Sequence, residues 1–276
     1  DQCRIAGLCG VRSVAAHRRR LRTIGAFSLA PLAGAAAAAG TAPAPAAAAA
    51  DFVHSDAVKS SDYASAASQS AAWRRWGGTD PYTGMKRDAM ERATCSFHVD
   101  HVVEAQVAAQ VAREWSTRTR SERATLDAAL ETVKGGGFNS GTVNLAVTCS
   151  VVNKFKGGAF QHYLLRDKAT TFNQAVDKCM EARVERGTEN LFTSPAYTAL
   201  MARGELTRAE VVITFNEHVE TATDKAFHEL ERSLEDTGYG TRRVLRSGRS
   251  LTEPESRALR TYVGELERTL ERWELL

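Results

Sequence analysis

Two stretches of the chain concentrate side chains able to move protons or hold cations. The first runs from His98 through Asp100 and His101 to Glu104; the second runs from Asn144 through Asn153, Lys154 and Lys156 to Gly157. An imidazole changes charge near neutral pH and so suits proton transfer. Carboxylate and carboxamide oxygens are hard donors that suit ions such as Mg²⁺. The pair Asp100-His101 alone says little, because such dipeptides are common on surfaces. Its place at the end of a β-branched run, Phe97 to Val103, raises it. Neighbouring strand residues point to opposite faces and converge on one site only where the strand ends.

Together the two stretches resemble the HNH family of nucleases, also called ββα-metal or His-Me finger enzymes. The family pattern is an apolar strand ending in Asp-His, a second strand opened by Asn, and a helix carrying a further Asn or His. The nine-residue step from Asn144 to Asn153, followed by Lys154-Phe155-Lys156-Gly157, is similar to the HNH domain of RNA-guided CRISPR effector nucleases. The resemblance covers residues 95–160, and nothing outside it suggests a guide-RNA machine. It implies a metal-dependent endonuclease hydrolysing phosphodiester bonds in nucleic acid, DNA rather than RNA. His101 would be the general base, and Asp100 and Asn153 would bind one divalent ion, Mg²⁺. Asn144 would hydrogen-bond backbone so that the loop after the first strand holds His101. Lys156, and more weakly Lys154, would contact substrate phosphate. Two departures stand out: 43 residues separate His101 from Asn144, and the Gly157-Gly158 pair is expected to shorten the metal helix.

Competing residues read more plainly. On an ideal strand His98 points away from His101, and Glu104 is placed to cap or open the next helix. His162 is a fallback for Asn153. Asn216-Glu217-His218 echoes the motif but lies in a helical pattern with no strand before it, so it reads as a solvated helix face.

The elements that must position these groups give an α+β fold, mostly helical: a small ββα hairpin-plus-helix core with inserted helices and a helical C-terminal region. The second strand is expected over Val143–Val147 and its helix from Val151, capped by Ser150. The insertion reads as two helices, Glu104–Trp115 and Thr125–Val133, each with apolar residues at helical spacing. From residue 168 the chain reads as helix, broken at Gly187, Ser194-Pro195, Gly204 and Gly238 to Gly248. The last helix opens on the capping box Thr252-Glu253-Pro254-Glu255 and carries an apolar stripe from Leu259 to Trp273, expected to pack within the chain. If the strands pair antiparallel with His101 near Asn144, Cys95 and Cys149 become neighbours. They would then form a disulfide stapling the hairpin, or stand as two reduced core cysteines. Trp73, Trp76 and Tyr82 surround a Gly-Gly-Thr-Asp-Pro turn and read as the edge of the core.

The chain divides in expectation into a targeting leader (1–50), a Ser/Ala-rich linker (51–72), the nuclease core with its insertion (73–167) and a helical region packed on that core (168–276). The whole chain carries 36 basic and 33 acidic residues, a net charge of +3. Six arginines and one acid fall in residues 1–50, so residues 51–276 hold 30 basic and 32 acidic groups. Binding to nucleic acid must therefore rest on local residues, not on the overall field. Arg18 to Arg22, then an apolar run and an alanine-rich stretch before Asp51, read as a signal for export, or alternatively for a mitochondrion or other organelle. Pro31 interrupts that run, so no stable membrane span is expected. No Cys-x-x-Cys pair exists, which argues against structural zinc. The alternative to an enzyme is a non-catalytic helical interaction or structural protein that retains an HNH-like hairpin; the oligomeric state is open.

Overall fold

A computed structural model describes residues 63–115, 118–133, 137–162, 171–238 and 250–276; the leader expected over 1–50 and, beyond Gly238, the break expected over Gly238 to Gly248 lie outside the described residues. Mostly helical, the described chain contains a small two-stranded antiparallel sheet. Strand β1 (Phe97–His101) pairs with β2 (Leu145–Cys149), and β2 runs directly into helix α5 (Ser150–His162). Phe97 lies opposite Cys149 and His101 opposite Leu145. The second strand therefore starts two residues later than its apolar pattern suggested. Asn144 pairs instead with the residue after the strand, its carbonyl accepting from Val102 N at 2.8 Å.

Two helices fill the long step between the strands, α3 (Ala105–Glu114) and α4 (Arg120–Val133). Both pack on α9 (Glu253–Arg272). Leu259, Tyr262, Val263, Leu266, Leu270 and Trp273 are all buried, and the Tyr262 hydroxyl donates to Ala108 O at 2.8 Å. The apolar stripe thus closes within the chain. Thr252 and Glu255 form the reciprocal capping box that their spacing called for. Helices α6 (Phe172–Glu185), α7 (Pro195–Ala202) and α8 (Arg208–Gly238) complete the C-terminal region, with breaks at Gly187, Ser194-Pro195 and Gly204. Gly187 and Gly204 take φ values of +62° and +72°, the left-handed region that ends a helix at low cost only in glycine.

Two expectations change. Residues 66–72, read as linker, belong to helix α1 (Ala66–Arg75), where the Ser65 hydroxyl caps Ser68 N and Ala72 and Trp73 are buried. Composition alone concealed this, because alanine and serine serve both loose chain and a short helix held by tertiary packing. The glycine pair does not shorten α5 either. A Cβ on Gly158 would lie 2.6 Å from an Arg183 guanidinium nitrogen. That guanidinium donates to Lys154 O and Glu189 O, so glycine here lets α6 approach closely. Trp73 and Tyr82 are buried, and Trp76 donates its indole N–H to Leu145 O at 3.0 Å, sealing the outer edge of β2. Among the described residues no helix is long and apolar enough to cross a membrane.

Cys95 and Cys149 are joined by a disulfide, with Cα atoms 5.2 Å apart across 54 residues of chain. Closing a loop of that length removes denatured-state entropy worth about 4 kcal/mol in the chain-entropy description. Replacing both cysteines with alanine should lower the midpoint of thermal unfolding by several degrees, and reductant should do the same to the wild type; equal midpoints would contradict the staple.

Candidate functional site

The site lies where β1 ends. Asp100 and His101, the last two residues of the strand, are 5% and 3% exposed. Directly after them the chain is fixed by Asn144, which is fully buried. Its Oδ1 accepts from Val103 N at 2.7 Å, and its Nδ2 donates to Val103 O at 3.2 Å and Phe138 O at 3.1 Å. One side chain thereby ties the start of β2 to the loop after β1 and to the segment before β2. No backbone ladder reaches Val103, so the carboxamide supplies what the sheet does not.

His101 is held on two sides. Its Nε2 lies 3.1 Å from Asn139 Oδ1, and its ring packs on Tyr63 with centroids 4.6 Å apart. A carboxamide oxygen only accepts, so in this contact Nε2 is the donor. Asn139 lies in an irregular segment, and Tyr63 just precedes α1. Neither carries a sequence signal linking it to His101. Burial raises the Tyr63 hydroxyl above its ordinary pKa, and the charges of Asp100 and Glu104 push it further.

Asp100 meets Lys156. The Lys156 ammonium donates to Asp100 Oδ2 at 2.7 Å, to His101 O at 2.7 Å and to Glu104 Oε2 at 3.1 Å. Its side chain has no exposed surface. Burial opposes the charged ammonium, but Asp100 and Glu104 outweigh it and shift its pKa upward. The Tyr82 hydroxyl donates to the same Asp100 oxygen at 2.5 Å, and burial followed by the Asp100 charge drives that phenol far above its ordinary range. Lys156 is thus an interior ion-pair partner and not a surface contact for phosphate. It shares the inward face of α5 with Val152, Phe155 and Ala159. Lys154 is exposed and pairs with Glu189 at 3.3 Å. Glu104 occupies the cap position of α3 but makes no capping bond, because its carboxylate turns to Lys156.

Asn153 is half-buried on the first turns of α5, one turn before Lys156, so helix geometry sets their Cβ atoms about 5–6 Å apart on one face. Hard oxygens of Asp100 and Asn153 suit a Mg²⁺-like ion. Among the described residues no three His, Cys, Asp or Glu side chains converge as a metal site, so a cation here would need the carboxamide and water. His98 is exposed and lies on the strand face opposite His101. His162 lies nine residues beyond Asn153, about 13 Å along the helix, too far to replace it. The sequence Asn216-Glu217-His218 is inside α8, as its pattern implied, yet His218 is not simply solvated: its Nδ1 donates to Tyr82 O at 3.0 Å.

Sequence reasoning missed Asp80. This carboxyl is wholly buried and accepts from Tyr82 N at 3.0 Å, Thr83 Oγ1 at 2.8 Å and Thr148 Oγ1 at 2.8 Å. Burial raises its pKa from 3.8 to about 6, the three hydrogen bonds pull the other way, and the Asp100 charge adds to the rise. It anchors the turn that presents Tyr82 to Asp100.

Two outcomes follow from this geometry. Asn144→Ala strips the partners from Val103 N–H and two carbonyls, at a cost of about 2–4 kcal/mol; a denaturation midpoint within error of the wild type would contradict the clamp. The folded pKa of Asp80 lies above its unfolded value, so folding takes up a proton between about pH 4 and pH 6. Stability from this group is greatest below pH 4 and falls by about 3 kcal/mol as pH rises through 6. Asp80→Asn should flatten that part of a urea-denaturation series, and parallel wild-type and variant profiles would contradict it.

Comparison of the chain with protein-family models, with curated proteins and with solved structures finds no match, so what the site does is argued from its geometry and chemistry alone.

Proposed function

We propose that the chain is a divalent-metal-dependent nuclease of the HNH kind, hydrolysing phosphodiester bonds in nucleic acid, DNA in preference to RNA. One observation carries the reading: Asp100 and His101 at the end of β1, Asn144 clamping the following loop, and Asn153 on the helix after β2 belong to a single ββα unit. His101, oriented by Asn139, takes a proton from water. The resulting hydroxide attacks phosphorus, and the bond to the 3′ oxygen breaks. Asp100 and Asn153 would hold one Mg²⁺ ion, which would supply positive charge against the phosphate and the departing oxygen. Lys154, whose exposed pair with Glu189 is cheap to open, is the available phosphate contact. The arginine-rich leader and the Cys95–Cys149 disulfide support export to an oxidising compartment.

A second reading is a non-catalytic interaction protein that keeps the hairpin as scaffold. It is favoured by the burial of His101 beneath Tyr63 and by the Lys156 ammonium on Asp100. Incubating the full chain with plasmid DNA and with RNA, with Mg²⁺ or Mn²⁺ or with EDTA, separates the two. The nuclease reading expects metal-dependent cleavage that falls by about two to four orders of magnitude in His101→Ala. Cleavage unchanged in that variant would remove His101 from its role. No cleavage with any divalent ion would leave the scaffold reading in the lead.

A further inference from the structure

Lysine has three N–H donors, and in Lys156 all three meet oxygens inside the protein: Asp100 Oδ2, His101 O and Glu104 Oε2. The Tyr82 and Phe160 rings lie 5.2 and 5.5 Å from the same nitrogen. An ammonium among carbonyl and carboxylate oxygens with aromatic walls is a filled cation position. It differs from a surface ion pair in having no exposed side-chain surface. Both described hydrogen bonds to the Asp100 carboxylate, from Lys156 and from Tyr82, fall on Oδ2. Oδ1 accepts neither of them and is therefore the Asp100 oxygen that a further cation would take.

We infer that Lys156 is a built-in cation that occupies half of the Asp100 carboxylate and thereby restrains divalent-ion binding at this site. The inference rests on the metal-site reading above and adds a positioning residue to it. With Lys156 in place, Asp100, Glu104 and Lys156 together carry a formal charge of −1, and Asp100 can offer one oxygen. Without the ammonium the formal charge becomes −2, which strengthens the attraction for a divalent ion at Asp100. Removing Glu104 instead leaves the ammonium concentrated on Asp100 and weakens the attraction for a second cation.

Titrating the full chain with Mn²⁺, and following free ion by electron paramagnetic resonance, reads this without any cleavage assay. Lys156→Met should tighten Mn²⁺ binding by about tenfold or more, while Glu104→Gln should weaken it several-fold. Lys154→Met removes the same charge two residues away and should leave binding unchanged. If Lys156→Met does not fold, as judged by circular dichroism, Glu104→Gln decides: weaker binding supports the role and unchanged or tighter binding overturns it. Wild-type binding that neither substitution alters overturns the role of Lys156 and leaves the metal site standing. Tightening in Lys154→Met equal to that in Lys156→Met overturns the role too, by reducing it to net charge. Absence of Mn²⁺ binding in every variant overturns both the role and the metal site.

Discussion

One ammonium joins the three elements on which the site depends. Lys156 comes from α5, Asp100 and the His101 carbonyl from the end of β1, and Glu104 from the start of α3. Two buried carboxylates so close together would repel strongly in a poorly polarisable interior, and one ion with three satisfied donors offsets that cost. Breaking such a group by removing one partner generally costs about 3–5 kcal/mol, because the charge left behind has nowhere to go. The direction in which β1 ends and α3 begins is thus fixed electrostatically, within a largely apolar core.

The hairpin is held differently at its two ends. Near Phe97 and Cys149 the constraint is covalent, through Cys95. Near His101 it is the Asn144 carboxamide, bonded to backbone on both sides of the 43-residue step. Helices α3 and α4 fill that step and gain support from α9, so the C-terminal helix braces the insertion that joins the two strands. Local chain alone could not bring these strands together, since closing a loop of this size costs entropy before any contact rewards it.

Much of this arrangement was legible in the residues. Cysteine positions and an assumed antiparallel register placed Cys95 beside Cys149, and the capping box, prolines and glycines located the C-terminal helices. A short β-branched run marks β1, and Ser150 as a cap marks where α5 begins. What escaped it depends on long-range contact. Asn139, Tyr63 and Asp80 lie in segments without a periodic pattern, so nothing local links them to His101 or Asp100. Lys156 reads as a phosphate contact in the sequence because it lies one helical turn beyond Asn153, and only the phase of α5 against the sheet turns it inward. Helix α1 was concealed by a composition that suits linker and helix alike.

Diffraction from crystals of the full chain soaked in Mn²⁺, with data at the manganese absorption edge, addresses the central claim most directly. One anomalous peak is expected within coordination distance of Asp100 Oδ1 and the Asn153 carboxamide oxygen, with Lys156 still on Oδ2. Manganese bound elsewhere, with Asp100 and Asn153 turned apart, would contradict it.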